Sequence, residues 1–163
     1  MPSKQQSIIL GGIVVTILST SYLGMINVIC CLGVLIGSGV AVWHYTETNE
    51  LTIKTGDGAK MGALAAIFGL VVASILNYIL IAVFDIRSDQ VFSQYILNMV
   101  GDTLPPDQYD EMVDEMNAPV TIGKALQGML WGLLVYPAFG AIGGIIGAKM
   151  FKKGGDEPTE FDD

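Results

Sequence analysis

The sequence predicts an all-α protein, a polytopic bundle of four transmembrane helices. The chain has 163 residues, of which 52% are hydrophobic and only 15% are charged. A soluble domain of this length would have about 25% charged residues. Four long stretches contain no Asp, Glu, Lys or Arg, and a bilayer core about 30 Å thick needs about 20 such residues in a helix. The stretches are about residues 8–27, 28–45, 61–84 and 125–148.

The first two stretches form one continuous apolar run, which is too long for a single crossing. From Ile8 to Trp43 one helix would be about 54 Å long, at about 1.5 Å per residue. Gly24 and Asn27 favour a tight turn, because glycine tolerates turn conformations and asparagine bonds to nearby backbone groups. We therefore expect a helical hairpin rather than one long tilted helix. A cleaved signal peptide is disfavoured, since no small-residue cleavage site follows the first stretch.

The distribution of basic residues predicts the orientation of the bundle. Arg87 and Lys124 are the only basic residues between the third and fourth stretches. The other six lie at the N-terminus, in the second connection and near the C-terminus: Lys4, Lys54, Lys60, Lys149, Lys152 and Lys153. Because short basic segments resist translocation, both termini are expected in the cytoplasm and residues 85–124 outside. Residues 1–153 then form a single membrane domain, and residues 154–163 an acidic tail that we expect to be disordered.

The outer segment, residues 85–124, is too long for a bare loop, and its apolar residues recur at helical spacing. We predict a hairpin of two short amphipathic helices, the first ending at Gly101 and the second opening at Pro105-Pro106. Four carboxylates on the second helix form two pairs one turn apart: Asp110, Glu111, Asp114 and Glu115. They are candidates for a cation site because hard cations prefer oxygen ligands. We favour a solvated face, since charge runs usually face water.

Small residues at four-residue spacing predict how the helices pack. Lipid chains are as apolar as the helices, so membrane helices associate through close approach and polar contacts rather than hydrophobic burial. The predicted packing residues are Gly33, Gly37, Ala65, Gly69, Gly128, Gly132, Gly140, Gly143, Gly144 and Gly147. The glycines from 140 to 147 either pack within one chain, which we favour, or form an oligomerising glycine zipper. The polar residues expected to bond between helices are Thr16, Asn77 and Gln127.

Residues that would carry catalysis are few. A disulfide between the adjacent Cys30 and Cys31 would be strained, so we interpret them as packing residues, with intermolecular pairing or acylation as alternatives. His44, the single histidine, is expected at the inner membrane interface. No Asp, Glu, Lys or Arg lies inside a span, where proton relays and substrate sites usually lie. We therefore expect no catalytic residue, no cofactor, no nucleic-acid partner and no enzymatic activity.

Three short motifs mark the helix boundaries. Cys30-Cys31 opens the second helix, Gly56-Asp57-Gly58-Ala59 precedes the third as an expected capping turn, and Gly143-Gly144-Ile-Ile-Gly147-Ala148 ends the fourth. Together they resemble a group of small prokaryotic four-helix membrane proteins of unassigned function, although that group typically has a longer cysteine run. The resemblance implies the same fold and a bacterial or archaeal cell (inner) membrane, and it implies no reaction.

The leading hypothesis is an integral membrane protein that is a structural or accessory component of a membrane assembly, or a homo-oligomer. The glycine stripes and the absence of catalytic groups motivate it. Its expected partners are the lipid bilayer and either further copies of the chain or a larger membrane complex. The alternative is a channel or carrier for a small solute or ion, formed by an oligomer with the acidic segment at its mouth.

Overall fold

The computed structural model describes residues 3–20, 23, 27, 31–84, 86, 88–119 and 121–153. These residues form an all-α protein, as the sequence predicts, and they contain no strand. The helices are α1 (Lys4–Ser19), α2 (Leu32–Asn49), α3 (Thr55–Phe84), α4 (Ser88–Val100), α5 (Pro106–Asn117) and α6 (Ile122–Met150). Predictions for the hairpin tip at residues 24–26, for Cys30 and for the tail at 154–163 lie outside the described residues.

Two of the helices are long and apolar enough to cross a membrane. They are α3, with 30 residues, and α6, with 29 residues. At about 1.5 Å per residue, each is about 45 Å long and exceeds the apolar thickness of a bilayer. α1 is a shorter apolar helix of 16 residues. α2 has 18 residues and ends in the polar segment 46–49.

Helices α3 and α6 begin earlier than the sequence predicted. The capping turn expected at Gly56–Gly58 is wrong, because α3 begins at Thr55 and these residues form its first turn. Asp57 is favourable there, since a carboxylate stabilises the positive end of the helix dipole. α6 begins at Ile122 because Thr121 Oγ1 accepts a hydrogen bond of 3.3 Å from the Lys124 backbone N–H. Both predictions used the charge-free stretch as the helix, but a helix continues through charged residues at its ends.

Helices α1 and α2 are separate and antiparallel, so the alternative of one long helix is wrong. Asn27 connects the end of α1 to the start of α2. Its Nδ2 donates to Ser19 Oγ at 2.8 Å, and its Oδ1 accepts from the Val34 backbone N–H at 3.2 Å. Asn27 therefore forms hydrogen bonds with a side chain of α1 and with a backbone group of α2.

Four helices pack against one another. α1 contacts α2 and α3, α6 contacts the same two helices, and α2 also contacts α3. We call α1, α2, α3 and α6 the helix group. The connection from α3 to α6 is made by α4, a 3₁₀ turn at Gly101–Thr103 and α5, and α4 contacts α5.

The interior of the helix group is lined mainly by small residues. Most buried positions on α1, α3 and α6 are Gly, Ala, Ser or Thr, and only a few are as large as Val, Leu or Met. Glycine contacts of this kind bring two helix backbones together: a Cβ atom added to Gly11 would meet the Gly37 carbonyl, and one added to Gly62 would meet the Gly140 carbonyl. The helices are therefore held at close range along much of their length.

The outward surface of the helix group is lined by large apolar residues. On α1, Ile9, Ile13 and Ile17 are 46%, 45% and 53% exposed, and they form one stripe at four-residue spacing. Other exposed members are Leu32, Ile36 and Trp43 on α2, Leu64, Phe68 and Ile75 on α3, and Leu130, Trp131, Leu134, Ile142 and Ile146 on α6. Soluble proteins place such residues inside. In the helix group most buried residues are small, and many of the large apolar residues are exposed.

Candidate functional site

One end of the helix group carries most of the basic residues, and we call it the basic end. α1 and α3 begin there, and α2 and α6 end there. Its lysines are Lys4, Lys54, Lys60, Lys149, Lys152 and Lys153. The sequence alone assigned these six residues to one side of a membrane, and the antiparallel helices bring them to one end of the protein.

The connection between α2 and α3 is folded inward at the basic end. Leu51, Thr52 and Ile53 are 8%, 2% and 3% exposed. Glu50 makes this turn with a left-handed backbone (φ 50°), and the Leu51 backbone N–H donates to the Thr46 carbonyl at 3.2 Å. The two apolar side chains join a buried cluster completed by Val42, Tyr45, Met61 and Ala148. This buried apolar cluster lies beneath the polar side chains of the basic end.

Two ion pairs hold helices together at the basic end. Lys4 Nζ lies 3.1 Å from Asp57 Oδ1 and connects α1 to α3. Lys153 Nζ lies 3.1 Å from Glu47 Oε1 and connects the residues after α6 to α2. All four side chains are partly exposed, so each pair contributes at most about 1 kcal/mol to stability. The two pairs also balance charge, because the carboxylate of each acid lies next to a lysine ammonium group.

The sequence did not predict the contact between Ser7 and His44. Ser7 Oγ and His44 Nδ1 share a hydrogen bond of 2.9 Å between α1 and α2. A hydroxyl beside an imidazole is the first requirement for a nucleophile and its base. However, Ser7 is only 2% exposed, so its hydroxyl is shielded from solvent by the packed helices. We therefore interpret the pair as a polar connection between the two helices.

Polar side chains also connect helices away from the basic end. The Thr16 hydroxyl donates to the Gly12 carbonyl of its own helix at 2.8 Å and lies 3.3 Å from the Gly69 carbonyl of α3, which shares the same hydrogen. Asn77 Nδ2 donates to the Ser19 carbonyl at 3.3 Å and connects α3 to α1. Ser38 Oγ donates to the Gly62 carbonyl at 3.0 Å and connects α2 to α3. Gln127 is exposed on α6. Such bonds are worth about 1 kcal/mol each inside a membrane and position helices without chemistry of their own.

Most of the glycines named from the sequence lie at contacts between helices. Gly33 lies against Leu18, Gly37 and Gly69 against Val15, Gly132 against Leu70, Gly140 against Ala66, Gly143 against Leu35, Gly144 against Gly58, and Gly147 against Val42. Ala65 is fully buried. Gly128 differs, because a Cβ atom added there would have no neighbouring atom within 4 Å.

Four further glycines lie at contacts between helices, although the sequence analysis did not name them. Gly11 lies against Ala41 on α2, whereas Gly12 lies against Phe68 on α3. Adjacent helical residues point about 100° apart, so this pair serves two neighbouring helices. Gly58 and Gly62 lie against Gly144, but Gly58 precedes the charge-free stretch from which the packing residues were chosen. The four-residue spacing of Gly58 and Gly62 is the sequence signal for this contact.

The acidic candidates do not form a metal site within the described part of the chain. Asp110, Glu111, Asp114 and Glu115 are all exposed on α5, which has no buried residue. No group of three or more His, Cys, Asp and Glu side chains is suitably placed to hold a metal ion among the residues that the structure describes. Cys31 is half-buried directly before α2 and has a left-handed backbone, with φ 53°.

Comparison with protein families gives one match. Residues 7–153 match a family described as "Protein of unknown function (DUF4199)". The match includes all of α2 to α6 and nearly all of α1. Comparisons with curated proteins and with solved structures give no match. Because the match extends over most of the chain, the protein belongs to this DUF4199 family.

Proposed function

We propose that the protein is an integral membrane protein without catalytic chemistry, which acts as a structural or accessory component of a membrane assembly or as a homo-oligomer. The observation that carries the proposal is the distribution of side chains. Many large apolar residues face outward, where they can contact lipid. Most inward-facing residues are small, so the helices can associate by close packing. In water the same surface would be a large exposed apolar patch, which monomeric soluble proteins rarely have.

All four members of the helix group cross the bilayer in this proposal. α3 and α6 have the length and hydropathy of spanning helices. α1 and α2 contain 16 and 18 residues, which correspond to about 24 and 27 Å of helix. The last four residues of α2 are polar, so in this proposal they lie at the membrane interface and the apolar parts of α1 and α2 cross a locally thinner bilayer. The antiparallel packing of α1 against α2 returns the chain to the basic end.

The basic end is cytoplasmic in this proposal, and α4 and α5 lie outside. The six lysines at one end support the orientation, because positively charged segments are retained in the cytoplasm. The acidic and exposed face of α5 supports it from the other side, since α5 contains no Lys or Arg, the residues that resist translocation. The proposed location is the cell (inner) membrane of a prokaryote.

Support for a non-enzymatic role comes from the burial of Ser7 and from the use of polar groups as connections between helices. Contacts between Gly11 and Gly37, and between Gly62 and Gly144, bring helix backbones together, so they disfavour a conduit within one chain. They do not bear on the alternative, a channel or carrier formed by an oligomer, for which no specific observation speaks. We therefore retain the assembly role as the proposal.

The mass of the protein in native-like lipid tests the assembly role. We expect extraction into lipid nanodiscs to yield a particle with several copies of the 17.4 kDa chain or with a stoichiometric partner protein. Light scattering, corrected for lipid, measures the protein mass, and peptide mass spectrometry identifies partners. Empty nanodiscs prepared in parallel are the control. A single chain without a partner, combined with solute flux in liposomes, would contradict the assembly role and favour a carrier.

A further inference from the structure

An apolar groove lies on the outward side of the helix group, between α2 and α6. Its volume is about 470 Å³. The residues that define its shape are Ile36, Gly39 and Trp43 on α2, and Gly143, Ile146 and Met150 on α6. The large side chains among them are exposed, and Gly39 lies next to the Gly143 carbonyl. The groove therefore has two apolar edges and a floor of glycine backbone.

Gly39 in this floor has no close packing role among the described residues. A Cβ atom added there would meet only the Gly143 carbonyl oxygen, at the ordinary contact distance of 3.8 Å, whereas one added to Gly37 would collide with Val15. Alanine would fit at position 39, and it is the better helix former. Small residues in membrane helices allow the backbone of another helix to approach closely. Gly39 therefore indicates that a further helix packs into the groove.

Helix α1 carries a surface that fits such a groove. Ile9, Ile13 and Ile17 form its exposed stripe, which points away from α2 and α3. Side chains at four-residue spacing form a ridge, and helices pack when the ridge of one lies in a groove of another. Because the stripe faces outward, it cannot reach the groove of its own chain. It can reach the groove of a second copy.

The stripe and the groove lie at the same depth in the membrane. Contacts between α1 and α2 fix the register of these helices: Ser7 with His44, Gly11 with Ala41, and Val15 with Gly37. Ile13 is therefore level with Gly39, and Ile9 is level with Trp43. Copies of one membrane protein share an orientation, because the same charged segments fix it. The stripe of one copy thus meets the groove of the next without a vertical shift.

The charges at the basic end are compatible with this contact. Glu47 follows the α2 edge of the groove by one turn, and Glu50 is exposed at the end of the same helix. α1 begins at the same level with Lys4 and has no acid in its first turn. Lys149 and Lys152 line a different cavity, beside the connection between α2 and α3. Lys4 and Glu47 already belong to partly exposed ion pairs within the chain, so their attraction between copies is weak and the apolar fit carries the inference.

We propose that the groove between α2 and α6 binds α1 of a second copy of this chain, with Ile13 over Gly39. The inference rests on the homo-oligomer form of the proposed function and names the two surfaces that build it. The contact is heterologous, because each copy offers α1 on one side and the groove on the other. Such contacts continue from copy to copy and close into a ring or extend as a row.

Cross-linking between copies in the native membrane tests the contact. Every copy carries Cys30→Ser and Cys31→Ser, and two differently tagged variants, Ile13→Cys and Ile146→Cys, are produced together. We expect a short bis-maleimide to link this pair at least about 5-fold more than the control pair Ile13→Cys and Leu64→Cys. Leu64 on α3 is 51% exposed and lies at the depth of Ile13, so the control matches exposure and depth.

Gly39→Leu fills the floor of the groove without disturbing the fold. Because a Cβ atom there makes only an ordinary contact, the melting temperature should change by less than about 2 °C. We expect the association constant in lipid, measured by energy transfer between labelled copies, to fall about 10-fold, which corresponds to about 1.4 kcal/mol. Gly128→Leu also enters open space but lies outside the groove, so it should change association by less than about 2-fold.

Other outcomes overturn the inference. Equal linking of the two cysteine pairs would show random collision, and linking mainly between two Ile13→Cys copies would show a symmetric contact between α1 helices. Unchanged association of Gly39→Leu would show that no helix occupies the groove. An alkaline wash of the membrane separates this inference from the proposed function. Release of the protein contradicts the membrane location, whereas a retained chain that associates through another surface or with a different protein contradicts the groove alone.

Discussion

Gly144→Leu is expected to separate α3 from α6 and to be among the most damaging single substitutions in the chain. A Cβ atom at this position would meet the Gly58 carbonyl and the Gly62 Cα, which belong to a helix backbone and cannot rotate away. Overpacking of this kind costs about 3 kcal/mol, which corresponds to a decrease of about 6–12 °C in the melting temperature of a chain of this size. Thermal unfolding in a mild detergent, followed by circular dichroism, measures the change.

Gly128→Leu is the matched control, because it makes the same substitution in the same helix. A Cβ atom added at this position would have no neighbouring atom within 4 Å, so the melting temperature should change by less than about 2 °C. If the two variants have the same melting temperature, the contact between Gly144 and Gly58 does not stabilise the packing of α3 against α6.

Leu134→Lys is expected to prevent α6 from entering the bilayer. Leu134 lies near the middle of α6, and 70% of its surface is exposed. A lysine at the centre of a spanning helix costs about 2.5–3.5 kcal/mol, so the ratio of inserted to non-inserted helix should fall about 100-fold. At such an exposed position in a soluble protein, the same substitution would change stability by less than about 0.5 kcal/mol. A compartment-specific reporter fused after α6 measures insertion.

Leu134→Ala controls for the loss of the leucine side chain without adding charge. It should keep most of the insertion of the unmodified protein, because alanine is tolerated in a membrane. Normal insertion of the lysine variant would mean that this face of α6 meets water or a polar partner, which would remove the main support for a lipid-facing surface.

The sequence predicted the class of the fold because long apolar stretches leave few alternatives. The same stretches misplaced the helix ends. α3 starts at Thr55, and Asp57 in its first turn stabilises the helix beyond the apolar stretch. Helix boundaries depend on local capping, whereas hydropathy reports where lipid is tolerated. The two properties coincide only in the middle of a helix.

The contacts at the basic end needed the three-dimensional arrangement. Ser7 and His44 meet because they lie at similar distances from the turn between α1 and α2, and a hairpin register fixed in advance would have paired them. The inward folding of Leu51, Thr52 and Ile53 was not predictable in this way, because the sequence of this short connection is compatible with an exposed loop as well.

The most direct test of the account is the position of two sites relative to the membrane. In a variant with Cys30→Ser and Cys31→Ser, a single cysteine is introduced either at Asp110, on the exposed face of α5, or at Lys153, after α6. We expect a membrane-impermeant maleimide to label the cysteine at position 110 in intact cells, and the one at position 153 only after the membrane is opened. Labelling at 153 but not at 110 would reverse the orientation. Equal labelling of both in intact cells would contradict the crossing of the membrane by α6.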